Sequence, residues 1–190
     1  MPGKLLRAEP QRSEPWLSFL HALERQLTIT TTIICRGDFV MNQCYGNPRS
    51  TVDIDTCGLE PAAQFKYLDS IAGQGFPLHR EYRVYLQRVT VATIPCDHEE
   101  SVLTIPSPTL ENLHLFALEA HDLALSKIER GGERDHYVVL HLANAGHIDA
   151  RTLMERYNDC QRPYMIGNLN AYDATLNIWL RLCWPNQFPA

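Results

Sequence analysis

The chain has 190 residues, 45% of them hydrophobic and 21% charged, with a formal net charge of −5. A chain of this length buries about 70% of the surface its unfolded form exposes, so its core needs neither disulfide staples nor a structural metal. It has no apolar run of about 18 residues, which excludes a membrane-spanning helix, and its opening MPGKLLRAEPQRSEP lacks the apolar segment of a secretory signal.

Residues 1–12 read as a loose leader. Ser13, Glu14 and Pro15 supply a cap, an acid and a first-turn proline ahead of Trp16, Leu17, Phe19, Leu20, Leu23 and Leu27, whose spacing predicts an amphipathic helix. The β-branched run 27–35 (LTITTTIIC), bounded by Arg36-Gly37, predicts a buried strand. A short helix over 38–45 follows and ends at Gly46-Asn47-Pro48. Residues 51–56 alternate Val52 and Ile54 against Asp53 and Asp55, which predicts a strand with two carboxylates on one face.

Further on, 60–72 reads as a helix with Pro61 in its first turn, 82–94 as strand or hairpin, and 101–105 as a short strand. Residues 113–118 favour a strand, followed by a helix over 120–130 that Gly131-Gly132 stops. The stretches 133–145, 149–159 and 169–182 are helical in pattern. This order predicts an α+β chain: an α/β core with a mixed sheet over 13–118, and a helical carboxy-terminal subdomain over 119–190 packed on it.

Charge is uneven along the chain. Residues 1–95 carry 10 Lys and Arg against 9 Asp and Glu, whereas 96–190 carry 7 against 13. The second half is therefore a poor grip for a polyanion, and any nucleic-acid contact would be local and centred on the first half. Six cysteines with no C-x-x-C pair, in a chain without a signal segment, read as reduced, mostly buried thiols of a cytoplasmic protein.

The sharpest chemical feature is Asp53-Ile54-Asp55. Carboxylates at i and i+2 of a strand project to the same side, about 6–7 Å apart at the backbone. They can converge on one hard cation, and oxygen ligands with substrate phosphates are what Mg²⁺ takes. The same pair also suits the solvated face of an edge strand. Elsewhere, Asp97-His98-Glu99-Glu100 fits an exposed acidic hairpin tip better than a metal site. His136 and His141 stand off any common helical face. No H-E-x-x-H, G-x-S-x-G, P-loop or dinucleotide fingerprint occurs, so zinc hydrolase, serine hydrolase, P-loop and dehydrogenase readings lack support. Trp16, Trp179 and Trp184 read as core or interface residues rather than base-stacking platforms.

Strand, glycine turn, short helix and then R-x-T-x-D-I-D (Arg49, Thr51, Asp53, Ile54, Asp55) resembles the nucleotidyltransferase superfamily related to DNA polymerase β. Within it the chain looks like the small bacterial branch of uncharacterised and toxin-type members near the AbiEii toxins of abortive infection. A second block, His121 to Ile128 with Glu133-Arg134-Asp135, resembles that branch's D-L-x-x-x-K segment. A third follows in Gly146-His147-Ile148-Asp149, Leu153, Arg156-Tyr157 and Arg162-Pro163-Tyr164.

The resemblance implies a nucleotidyltransferase-like fold that moves a nucleoside monophosphate from a nucleoside triphosphate (NTP) to a nucleic-acid or protein acceptor. It also implies a role as the toxin of a toxin-antitoxin or phage-defence pair, with an antitoxin as partner and no membrane. Asp53 and Asp55 are the implied catalytic and metal residues, holding Mg²⁺ or Mn²⁺; Gly37, Arg49, Thr51 and Lys127 are the implied nucleotide-binding residues. Lys127 reads equally as a helix lysine paired with Glu129 or Glu133, and Arg134-Asp135 reads as a structural pair.

Two departures from the pattern stand out. The turn is Arg36-Gly37-Asp38 where the family has Gly-Gly or Gly-Ser, and Gln87 stands where a third carboxylate is expected, with Glu81 and Asp97 as nearby substitutes. They make a catalytically degenerate binding or regulatory protein the alternative to an enzyme.

Overall fold

The structure is a computed structural model that describes residues 4–5, 14–90, 93–107 and 109–189. The expected leader lies outside the described residues apart from Lys4–Leu5. Among the described residues the chain forms two compact units, one within 1–90 and 101–118 and the other within 91–100 and 119–190. The fold is α+β.

The first unit is built on one mixed sheet. Its strands are β1 (Lys4–Leu5), β2 (Thr31–Arg36), β3 (Asp53–Glu60), β4 (Tyr85–Arg88), β5 (Leu103–Ile105) and β6 (Leu113–Ala117), in the spatial order β1-β5-β6-β2-β3-β4. The apolar run of β2 takes the interior of the sheet, parallel to β6 and antiparallel to β3, with Ile33 and Cys35 fully buried. A strand covered on both faces needs such a continuous apolar run. It begins at Thr31 rather than Leu27 because the chain first turns out of α1 (Trp16–Glu24), where the amides of Gln26 and Leu27 donate back to Leu23 and Glu24.

Helix α1 buries Phe19, Leu20 and Leu23, each worth about 1.5–3 kcal/mol relative to exposure. Trp16 meets Phe39 of α2 (Gly37–Tyr45) edge-on at 5.0 Å, and Phe19 meets Tyr82 of α4 (Pro77–Tyr82) at 6.3 Å. The Glu24 carboxylate accepts the amides of Glu111 and Asn112 at 3.0 and 2.7 Å, which fixes the entry to β6. Helix α3 (Phe65–Ala72) starts later than its pattern predicts, because β3 runs on to Glu60 and Pro61 is extended; a 3-10 turn over Ala62–Gln64 intervenes.

The expected strand or hairpin over 82–94 is corrected to the single strand β4. Tyr82 closes α4, and Arg83 turns the chain in the left-handed region at φ 63°. Residues 93–100 then belong to the second unit, and 91–92 lie outside the described residues.

The second unit contains α5 (His98–Ser101) up to Glu100, α6 (Ala120–Leu125), α7 (Glu133–Asn144), α8 (Ala150–Arg156) and α9 (Leu169–Cys183), with Leu123, Leu142, Leu153 and Trp179 fully buried. Helix α6 stops at Leu125 rather than Arg130, so Lys127 sits in the turn that follows. Beyond α8, a π-helical turn over Tyr157–Gln161 and a 3-10 turn over Arg162–Tyr164 replace the regular helix expected to 159.

No disulfide joins the six cysteines. The expectation of mostly buried thiols is corrected, since only Cys35 among the six is buried and Cys96 is exposed. Among the described residues no helix is long and apolar enough to cross a membrane.

Candidate functional site

The site grows out of the junction between β2 and α2. Arg36 is extended, and Gly37 at φ 74° turns the chain directly into the helix. Only glycine suits this position, for two separate reasons. The left-handed backbone disfavours any β-carbon, and a Cβ built there would overlap the carboxylate of Asp55, whose Cγ would lie 3.0 Å away. Gly37→Ala is therefore expected to cost about 1–3 kcal/mol and to push Asp55 off the turn. Urea unfolding checks this, and a variant as stable as the parent would contradict the close approach.

Asp38 occupies the first turn of α2, where a negative charge is favoured by the unpaired amides of the helix start. Its carboxylate also faces Arg49, whose Nε lies 3.6 Å away. The acid of the Arg36-Gly37-Asp38 turn thus has a cation beside it, and that cation is Arg49 from the following loop.

The loop between α2 and β3 is tied down by side chains. Gly46 ends the helix in the left-handed conformation, Asn42 Nδ2 donates to the carbonyls of Asn47 and Arg49 at 2.9 and 3.4 Å, and Asn47 Oδ1 accepts the Arg49 amide at 3.0 Å. The loop delivers Thr51, whose hydroxyl donates to the Asp53 carboxylate. Asp53 and Asp55 then lie half-buried on one face of β3, while Ile54 between them is fully buried on the other.

Register with β4 completes this face. Asp53 pairs with Tyr85 and Asp55 with Gln87 in parallel alignment, and the Tyr85 hydroxyl stands 3.4 Å from Gln87 Oε1, its acceptor. Burial first, and then the charges of Asp53 and Asp55, raise the Tyr85 phenol above its ordinary value. Tyr85 was not among the residues singled out from sequence, although its parity with Gln87 in the predicted strand was visible. The two carboxylates on this face of β3, with the Gln87 amide in register beside Asp55, are hard oxygen donors of the kind that suit a divalent cation such as Mg²⁺.

The structure brings Gly37, Arg49, Thr51, Asp53 and Asp55 into one neighbourhood of the first unit. Lys127 belongs to the second unit, where it is buried and its charge helps lower the Asp135 carboxyl. Asp135 takes Arg130, whose Nε donates to Oδ2 at 2.7 Å. Asp97, a suggested substitute for the third acid, lies in the second unit and accepts from Arg156. Glu81, the other suggested substitute, is adjacent to Tyr82 and raises its phenol.

Over residues 20–182 the sequence matches the family described as nucleotidyltransferase of unknown function (DUF6036). The chain belongs to this nucleotidyltransferase family. No curated protein and no solved structure matches it.

In this nucleotidyltransferase-family chain the second and third sequence blocks meet as interlocking polar contacts. His121 Nδ1 lies 2.9 Å from Glu119, and its Nε2 accepts the Asp149 amide at 3.0 Å, which makes Nδ1 the protonated nitrogen. Fully buried Asp122 holds Arg156 through bonds of 2.5 and 2.9 Å. Asp173 accepts from Tyr157 at 2.7 Å and from Arg162 at 2.8 Å, and these donors depress its carboxyl to about 2. Residues of both blocks therefore fasten the helical unit together.

Proposed function

We propose that this protein transfers a nucleoside monophosphate from an NTP to an acceptor hydroxyl, on the face of β3 that carries Asp53 and Asp55. The observation that supports this best is the Asp55 carboxylate lying against the bare backbone of Gly37 at the start of α2, with Asp53 two residues along the same face. A triphosphate with its cation needs both kinds of group at once: carboxylates for the metal and backbone amides for the phosphates.

Asp53 and Asp55 would hold Mg²⁺ or Mn²⁺, which supplies charge neutralisation to the triphosphate and the departing pyrophosphate. The residues of the chain provide the orientation. Thr51 fixes Asp53, Gly37 admits Asp55 to the turn, the first amides of α2 face the phosphate side, and Arg49 offsets Asp38. In the transfer, the acceptor oxygen bonds to the α-phosphorus and the bond to the bridging oxygen breaks with its electrons leaving on pyrophosphate. The acceptor proton passes through the Asp55 carboxylate to solvent. We assign Lys127 to support of the helical unit, since it is buried and acts on Asp135.

The acceptor in this reading is nucleic acid or protein. The excess of acid in residues 96–190 argues for local recognition, or for a partner that supplies positive surface. The resemblance to toxin-type members extends the proposal to the toxin of a toxin-antitoxin or phage-defence pair.

Gln87 opposite Asp55 favours a second reading, a protein that binds nucleotide without turning it over, because an amide adds a ligand oxygen but no negative charge. Incubation with each labelled NTP, Mg²⁺ or Mn²⁺, and RNA or cell protein separates the two. Label in the RNA or protein fraction is expected; nucleotide binding without transfer would select the second reading, and neither would overturn both.

A further inference from the structure

We propose that Cys96, Asp97 and Cys160 form a second metal site, for a thiophilic divalent cation such as Zn²⁺, that clasps the segment around residues 93–97 to the π-helical turn of the second unit. The three donor atoms lie within 4.8 Å of one another and come from two separate stretches of chain. With Zn–S bonds of about 2.3 Å, tetrahedral geometry places two sulfurs about 3.8 Å apart. Side-chain rotation alone can close that gap.

The backbone is already fixed around the cluster. The Cys96 amide donates to the Cys160 carbonyl at 2.7 Å, and Gln161, fully buried, donates to the carbonyls of Thr93 at 2.8 Å and Leu125 at 3.0 Å. Arg156 Nη2 donates to Asp97 Oδ1 at 2.9 Å, the kind of outer hydrogen bond that orients a ligating carboxylate. Cys160 itself sits on the π-helical turn, an irregularity frequent at functional positions.

Charge and access agree with a cation. Two thiolates and a carboxylate carry three negative charges, two of which a divalent ion would offset, and the Arg156 guanidinium, shared between Asp97 and Asp122, lies beside the third. Cys96 is exposed and provides the path of entry. Thiolate donors select Zn²⁺ over Mg²⁺, so this cluster and the oxygen-only face of β3 attract different ions.

Titration of the reduced, chelator-treated protein with Co²⁺, a spectroscopic stand-in for Zn²⁺, tests the site. A thiolate-to-cobalt charge-transfer band saturating at one ion per chain is expected, and Zn²⁺ should displace it. Loss of an outer partner typically weakens a metal site about 10–100-fold, so Cys96→Ser and Cys160→Ser, which remove ligands, should weaken binding by at least about 100-fold. Cys44→Ser and Asp53→Asn/Asp55→Asn should leave the band intact. Circular dichroism of the Cys96→Ser variant, altered at an exposed position, controls for folding. Absence of the band, its survival in both cysteine variants, or a Cys96–Cys160 disulfide formed with peroxide by a chain that binds no metal when reduced would each overturn the proposal.

Discussion

Asp53→Asn and Asp55→Asn are each expected to lower nucleotidyl transfer by at least about 10³-fold, because a bound cation contributes several kcal/mol of charge stabilisation and each 1.4 kcal/mol is tenfold in rate. Neither substitution should unfold the protein. Asparagine preserves the outline of the side chain where Asp55 meets Gly37, and it removes one of two like charges that share a face of β3. Unfolding midpoints equal to or slightly above that of the parent should therefore accompany the loss of transfer. That combination separates a functional carboxylate from one that merely solvates an edge: a solvating carboxylate would leave transfer intact, and a structural one would lower the midpoint. The acceptor assay with matched urea unfolding reads both quantities.

Arg156→Met should produce the largest loss of stability in the helical unit, about 3–5 kcal/mol, the usual consequence of leaving a buried charge without its partner. Asp122 is fully buried and depends on two hydrogen bonds from this guanidinium, and Asp97 takes two more, at 2.9 and 3.4 Å. Burial pulls the arginine towards its neutral form, but the hydrogen bond and charge of Asp122 outweigh it, so the guanidinium stays charged. The Asp122→Asn/Arg156→Met double variant should recover part of the loss, because the buried carboxylate charge is then gone. Urea unfolding of the two variants decides the matter; a single variant within 1 kcal/mol of the parent, on the order of a surface pair, would show that the network contributes little.

The two halves of the chain differ in how much of them could be read beforehand. The shared face of Asp53 and Asp55 was legible because a strand alternates with a period of two, whereas Gly37 stood out only through the family's glycine turn after its first strand. Helices α1, α7 and α9 announced themselves by apolar spacing and by breakers at their ends.

What stayed hidden depends on distance along the chain. Asp122 and Arg156 are 34 residues apart, and so no local pattern joins them. The pairing of Asp135 with Arg130 spans the turn at Gly131-Gly132, whose geometry propensity does not specify. Residues 93–97 looked like the end of a hairpin because Tyr82 to Ile94 is rich in strand formers. The chain instead leaves the sheet after β4, and that departure is what sets Cys96 beside Cys160. Lys127 matched the family pattern by position but lies in a turn, buried near Asp135.

The central claim is that Asp53 and Asp55, beside the Gly37 turn, hold the cation of a nucleoside triphosphate. Calorimetric titration with each NTP, in Mg²⁺ and again in EDTA, tests it without knowledge of the acceptor. The account predicts binding of at least one NTP that requires the divalent ion and disappears in Asp53→Asn/Asp55→Asn while Cys96→Ser retains it. Binding that persists in EDTA or in the double aspartate variant, or no binding of any NTP by the parent, would contradict it.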